Sequence, residues 1–299
     1  MKQIIVTLSA ALLLSACLKD KAGSSSQKPD NPPASQQQSQ PQTENRPTQP
    51  ESPRPQTPER EETPTPTPAP YKPVASSNFG QYEIEAFGYK WVARDSSWRD
   101  GGPQVNDEWS FSNVVKNGNN LDLKISHNAK GEPVGAELIS VNSMGYGEYE
   151  LAFESDWSQF DNSVVFGFFT YNWLEDTPGN QEIDAIETSR WGNRQLKSKA
   201  TYYPDNTFKN RVSGPDYFWP ESMRKGIVRM RWSRNRVDWT FLDGSTGKVV
   251  YSASRTERVP VPGKQQVHIN LWNSDEGDWQ NAKPQTVRLT GFRYTPSNQ

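Results

Sequence analysis

Three acids fall within six residues of this 299-residue chain, Glu182-Ile183-Asp184-Ala185-Ile186-Glu187, in a stretch otherwise composed like a buried β-strand. An apolar run, Val164-Val165-Phe166-Gly167-Phe168-Phe169, precedes it. Carboxylates crowded on one strand repel one another and resist leaving water, which drives their pKa values apart. Two carboxylic acids of unequal pKa on one surface are what cleavage of a glycosidic bond requires. In a retaining hydrolase one carboxylate attacks the anomeric carbon. The other protonates the leaving oxygen and then activates water. On that chemistry Glu182 is the nucleophile and Glu187 the general acid and base. Asp184, between them, tunes their charge and orientation. Taken alone, the same spacing also fits an exposed strand with solvated acids.

A regular strand turns alternate side chains to one face, which groups Glu182 and Asp184 with position 186. Position 186 is Ile, and the third acid stands at 187. All three acids share a face only if the strand carries a β-bulge near Ala185-Ile186. Five residues of strand span ~16 Å between Cα atoms, whereas a retaining hydrolase holds its carboxyls ~5–5.5 Å apart. The two Glu side chains must therefore converge on the sugar.

The bulk properties exclude other chemistries. A formal net charge of -2 argues against a general nucleic-acid binder, which needs clustered Lys and Arg. Two His and one Cys leave no zinc site of the usual Cys/His type and no intramolecular disulfide. A serine triad would have to use His127 or His268, and no Gly-x-Ser-x-Gly elbow accompanies either. His268 reads either as a residue that orients a carboxylate or as a strand-filling one, with the second favoured, and His127, beside Asn128, as an exposed turn residue.

The N-terminus reads as an export signal over residues 1–16. Met1-Lys2 is followed by an apolar core, Ile4 to Leu14, too short to span a bilayer comfortably. Leu14-Ser15-Ala16-Cys17 then resembles a bacterial lipobox, in which Cys17 becomes the lipidated first residue of the mature chain. Leu18 rather than Asp follows, which by resemblance to Gram-negative lipoproteins implies the outer membrane. Several acyl chains anchor far more firmly than one. Residues 17–77 are Pro, Gln, Ser, Thr and charge, with Thr63-Pro64-Thr65-Pro66-Thr67-Pro68 as a sample. Such a segment buries too little apolar surface to offset its chain entropy. It reads as a semi-extended tether that holds a domain off the membrane.

From residue 78 to 299 the composition becomes aromatic-rich, and the length suits one domain. Leu121 to Ile125, Tyr149 to Phe153 and Val228 to Trp232 alternate apolar and polar residues. Asn117-Gly118 and Asp243-Gly244 mark tight turns. No long segment has helical period. The reading is an all-β sandwich of two curved antiparallel sheets.

Gln181-Glu182-Ile183-Asp184-Ala185-Ile186-Glu187 resembles the active-site strand of glycoside hydrolase family 16, in its bulged Glu-x-Asp-x-x-Glu form. Further blocks match in order. Gly101 to Asn106 before Trp109 is similar to an early strand bearing a cleft Asn. Ala136-Glu137 leads to a Gly145-Tyr146-Gly147-Glu148-Tyr149 segment. Val165 to Tyr171 resembles the strand before the catalytic one, and Val267 to Trp272 a late strand that places an Asn and a Trp. The resemblance covers essentially the whole region from residue 78 onward. It implies a concanavalin-like β-jelly roll, retaining endo-hydrolysis of a β-linked, β-glucan-like polysaccharide, and no redox cofactor. Some members carry a structural calcium, which nothing in this sequence demonstrates. Two departures stand out. Ile139 occupies a position where β-glucanases often have Arg, and Ala185 replaces a larger aliphatic residue.

The substrate-binding candidates are Asn106, Tyr171, Trp191, Tyr202, Asn270, Trp272 and Trp279. Trp173 and Trp219 are further aromatics expected at or near the cleft. Indole faces pack on the C–H faces of sugars, and amides hydrogen-bond hydroxyls. Trp232 and Trp239 read as structural. The expected partners are the polysaccharide and, through lipid, a membrane; no nucleic acid is expected and the chain reads as a monomer. The rival reading is a non-catalytic glycan-binding lipoprotein on the same sandwich.

Overall fold

The computed structural model describes residues 82–101, 107–172, 182–204, 208–274 and 276–297. The signal segment, Cys17, the tether, Asn106 and Trp173 lie outside the described residues. Among the described residues no helix is long and apolar enough to cross a membrane.

The described chain is built from strands: β1 (Tyr82–Ala86), β2 (Tyr89–Ala93), β3 (Ser96–Gly101), β4 (Asp107–Trp109), β5 (Val114–Asn117), β6 (Asn120–His127), β7 (Pro133–Ser143), β8 (Gly147–Glu154), β9 (Val164–Tyr171), β10 (Ile183–Ser189), β11 (Lys197–Tyr202), β12 (Val212–Ser213), β13 (Tyr217–Phe218), β14 (Lys225–Ser233), β15 (Arg236–Asp243), β16 (Val249–Arg255), β17 (Gln266–Asn273) and β18 (Gln285–Pro296). Each segment expected to alternate falls inside one of them. The Asn117-Gly118 turn joins β5 to β6, with Gly118 in the left-handed region at φ 62°.

Two antiparallel layers result. The first runs β1-β2-β7-β17-β9-β10-β11, with β12 and β13 on the outer edge of β11. The second runs β5-β6-β18-β8-β14-β15-β16. Short pairings of β7 with β6 and with β4, the latter parallel, close one side. The architecture is the two-sheet sandwich that the alternating pattern and the turn residues call for, in the jelly-roll form that the resemblance implies.

One core fills the space between the layers. The first layer contributes Trp91, Leu138, Phe166, Phe168, Ile183, Ile186 and Ile269, and the second Leu123, Leu151, Phe153, Val228, Met230, Trp239, Phe241 and Leu289. Period-2 burial is clean in β8, where Gly147, Tyr149, Leu151 and Phe153 point inward and the intervening residues do not. On the outward face of the second layer the charges pair: Arg288 with Asp122 at 2.7 Å, and Arg293 with Glu150 at 3.6 Å. The outward face of the first layer differs. In β17 all eight residues are buried, inward- and outward-facing alike. β17 is therefore covered on both sides, and its outward face is the floor of a recess rather than an open surface.

Candidate active site

Alternation along β10 is broken once. Its pairing with β9 skips a residue between Asp184 and Ile186, and its pairing with β11 skips between Asp184 and Glu187. This is a β-bulge at Ala185-Ile186. Ile183, Ala185 and Ile186 all belong to the inter-sheet core. Two successive residues thus turn inward, which returns Asp184 and Glu187 to the same outward face. The bulge that the residue types required is present, and its cause is visible: a regular strand that kept Asp184 outward would drive Ile186 out of the core and Glu187 into it.

Register carries this face across the sheet. Directly paired residues of antiparallel strands share a face. One row reads Lys199, Glu187, Gly167, Asn270, Glu137. The next reads Thr201, Asp184, Phe169, His268, Ile139. On the other side of the Glu187 row lie Phe218, Lys197, Ser189, Val165 and Trp272. Glu182 stands just ahead of β10, where its carbonyl accepts from the Tyr203 N–H at 3.0 Å.

The acids are strongly coupled. Burial, then the charges of Glu182 and Glu187, push Asp184 well above the ordinary carboxylate range. Burial and the charge of Glu187 push Glu182 up to about 8. Glu182 and Asp184 share a side-chain hydrogen bond, which requires a proton on one of them. Burial also raises Glu187, against the charges of Lys199 and Arg211. The titration steps belong to the cluster as a whole, which retains protons at neutral pH. Asp184 is 2 % exposed, and its Oδ2 has no hydrogen-bond partner among the described residues.

A second charged group lies along the same rows. Glu137 Oε2 accepts from Arg94 Nη1 at 2.6 Å, and its Oε1 faces His268 Nδ1 at 3.0 Å. Burial works to raise the Glu137 pKa, but the Arg94 charge and the His268 hydrogen bond hold it down to about 2. An ionised Glu137 accepts from Nδ1–H, which assigns the imidazole tautomer. The His268 ring stacks on Phe169 at 5.0 Å and meets the edge of Tyr171 at 5.8 Å. Its Nε2 has no partner among the described residues. Where the family resemblance leads one to look for an Arg at residue 139, the chain has Ile; the cation beside Glu137 is Arg94, from the end of another strand.

Asn270 depends on its neighbour. A Cβ on Gly167 would lie 2.4 Å from Asn270 Oδ1, so only glycine lets the amide rest across β9. That places the amide between Glu137 and Glu187 in their row. Trp272 lies one row on. With Trp109 and Val165 it forms a small apolar cluster, against which Trp191 packs, apart from the main core. The Trp191 and Trp272 rings meet edge-on at 6.3 Å, and Lys199 Nζ lies 5.8 Å from the Trp191 ring.

The structure thus groups Tyr171, Trp191, Asn270 and Trp272 with the three acids. Other expectations are corrected. Tyr202 is fully buried in the inter-sheet core, stacked on Trp239, because it pairs with inward-facing Ile183. Tyr203 is the tyrosine beside the acids: burial and the charges of Asp184, Glu187 and Glu182 raise its pKa. Trp219 is also a core residue, 3 % exposed and packed against Trp157 and Phe153. Trp279 sits in a 3-10 turn beyond β17, where its carbonyl holds Asn273 at 2.8 Å. Of the two readings of His268, the carboxylate contact is the one present, to Glu137 at 3.0 Å. Glu137 and Arg94 were not singled out as site residues; the Glu137, Ile139 alternation in β7 was the available signal. Among the described residues no group of three or more His, Cys, Asp or Glu could hold a metal ion.

No protein-family model and no curated protein sequence matches the chain. Solved structures do. A Bacillus licheniformis β-glucanase is 22 % identical with TM-score 0.54, over 74 % of this chain and 95 % of that one. A Bacteroides ovatus family 16 hydrolase of mixed-linkage glucan, in complex with its G4G4G3G product, is 12 % identical with TM-score 0.52, over 70 % and 98 %. A pseudo β-1,3-glucanase of Mycobacterium tuberculosis is 19 % identical with TM-score 0.52, over 70 % and 91 %. The jelly-roll fold of the family 16 glycoside hydrolases is therefore shared by this chain.

Proposed function

We propose that this protein is a retaining endo-hydrolase of a β-linked, β-glucan-like polysaccharide, held to a bacterial envelope by lipid on Cys17. The observation that carries the reading is the bulge in β10, which turns Asp184 and Glu187 to one recessed face beside Glu182. Glu182 attacks the anomeric carbon and forms a covalent glycosyl-enzyme. Asp184, held well above the ordinary carboxylate range, donates to Glu182 and stabilises its charge until attack. Glu187, raised by burial, delivers a proton to the leaving oxygen and then takes one from water. Asn270, Glu137 and His268 present hydrogen-bonding atoms to sugar hydroxyls along the adjoining rows, and Trp272 and Trp191 bound them with apolar surface. The β-glucanases among the similar structures support the class of substrate.

The pseudo β-1,3-glucanase on the same fold supports a second reading, a glycan binder without turnover. A panel of β-glucans, xyloglucan, agar and carrageenan, assayed for reducing ends and for anomeric configuration, separates them. Hydrolysis with retention is expected, lost by at least a thousandfold in Glu182→Gln while oligosaccharide binding persists. Binding by the wild type without any release of reducing ends establishes the second reading instead. The lipid anchor is checked by radiolabelled palmitate, which Cys17→Ser should fail to incorporate.

A further inference from the structure

The bulge sets two residues of β10 opposite one of β9 just past Asp184. The Asp184 carbonyl accepts from Trp239 Nε1, at 3.0 Å. Trp239 belongs to β15, in the other layer, and is fully buried. Its ring stacks on Tyr202 at 6.0 Å and 23°. The Tyr202 hydroxyl is in turn fixed on the Glu257 carbonyl at 2.5 Å. The indole therefore has one available orientation, and its N–H crosses the core to the backbone of the acid that the other two flank.

We propose that Trp239 is a positioning residue of the acid cluster: its N–H selects the bulged register of β10 that keeps Asp184 and Glu187 on one face. The kinetic side of this proposal rests on the hydrolase reading; the structural side does not. The alternative to the bulge is a regular ladder. It would satisfy the Asp184 carbonyl within the sheet, but it would turn Glu187 toward the core and leave the Trp239 N–H buried without an acceptor. An orphaned buried donor is costly, so the indole penalises the regular register and rewards the bulged one. It thereby acts on the geometry of the acids without touching them or the sugar.

A matched control exists in the same core. Trp232 Nε1 donates to the Pro260 carbonyl at 2.9 Å and the residue is fully buried, but Pro260 lies outside the acid strand. Trp239→Phe and Trp232→Phe each delete one buried indole–carbonyl bond. Both should lower the melting temperature to a similar extent. Only Trp239→Phe should lower kcat, by at least tenfold with KM within about twofold, and shift the pH–rate profile. The carboxyl titrations of ¹³C-glutamate-labelled protein should move with it. Unchanged kcat and titrations in Trp239→Phe, or equal changes in Trp232→Phe, overturn the proposal. Should Trp239→Phe not fold, the wild-type indole N–H resonances decide: that of Trp239 should titrate with the acids and that of Trp232 should not, and a flat Trp239 signal overturns the proposal. If the wild type hydrolyses nothing, the hydrolase reading fails, and the two titration measurements alone judge the role of Trp239.

Discussion

Gly167→Ala tests whether the recess is assembled across strands. An added Cβ would stand 2.4 Å from Asn270 Oδ1, while the next atoms, Asn270 Cγ and Phe169 Cδ1, are 3.4 and 3.7 Å away. The conflict is therefore with one amide oxygen, at the far end of a side chain that can turn. That oxygen has no hydrogen-bond partner among the described residues, so turning it breaks no bond there. Overpacking costs about 1–3 kcal/mol and replacing a strand glycine returns about 0.5–1 kcal/mol, so the protein should lose no more than about 2.5 kcal/mol of stability. Activity should suffer as well. The amide occupies the row between Glu187 and Glu137, and losing one neutral hydrogen bond to substrate amounts to about 0.5–1.5 kcal/mol, or about two- to tenfold in kcat/KM. Reducing-end release from β-glucan measures this directly. The decisive comparison is with Asn270→Ala. In that background the offending oxygen is gone, and Gly167→Ala should cost less than about twofold. If Gly167→Ala lowers kcat/KM by the same factor in both backgrounds, the inference that Asn270 is placed by the missing Cβ is wrong.

Two further predictions concern charge. Glu182 is raised in the folded protein, so the stability it contributes is fully present below its ordinary range near 4.5 and is lost as pH rises through about 8. Melting temperature should therefore fall between pH 5 and 8, and Glu182→Gln should flatten that slope; equal slopes would refute the coupling. Glu137 has the opposite sign, since its contribution is present above 4.5 and is lost as pH falls through about 2. Arg94→Met should cost about 3–5 kcal/mol in urea unfolding by leaving Glu137 buried with a lone histidine, and adding Glu137→Gln should recover most of that loss.

The bulge was legible because the strand's own residue types conflicted: Ile186 is apolar where alternation calls for an acid, and Glu187 is charged where it calls for an apolar residue. Strand phase also held the information that would have separated Tyr202 from Tyr203. Lys197 and Lys199 mark the outward positions of β11, so Tyr202 falls inward and the acids' neighbour is the next residue. Trp219 was not legible in that way. It is buried because its ring lies on Gly226, where a Cβ would come within 2.6 Å of it, and that contact joins segments with no shared period. The pairing of Glu137 with Arg94 spans 43 residues and depends on β2 and β7 being neighbours, which no local pattern records.

Burial of β17 on both faces has a consequence in time as well as in space. Amides sealed from water on both sides exchange only when the sheet itself opens, so Val267 to Asn273 should be among the slowest-exchanging amides of the domain. The floor that carries His268, Asn270 and Trp272 should then be a rigid one, and a sugar bound there as proposed would meet a surface already in its final form.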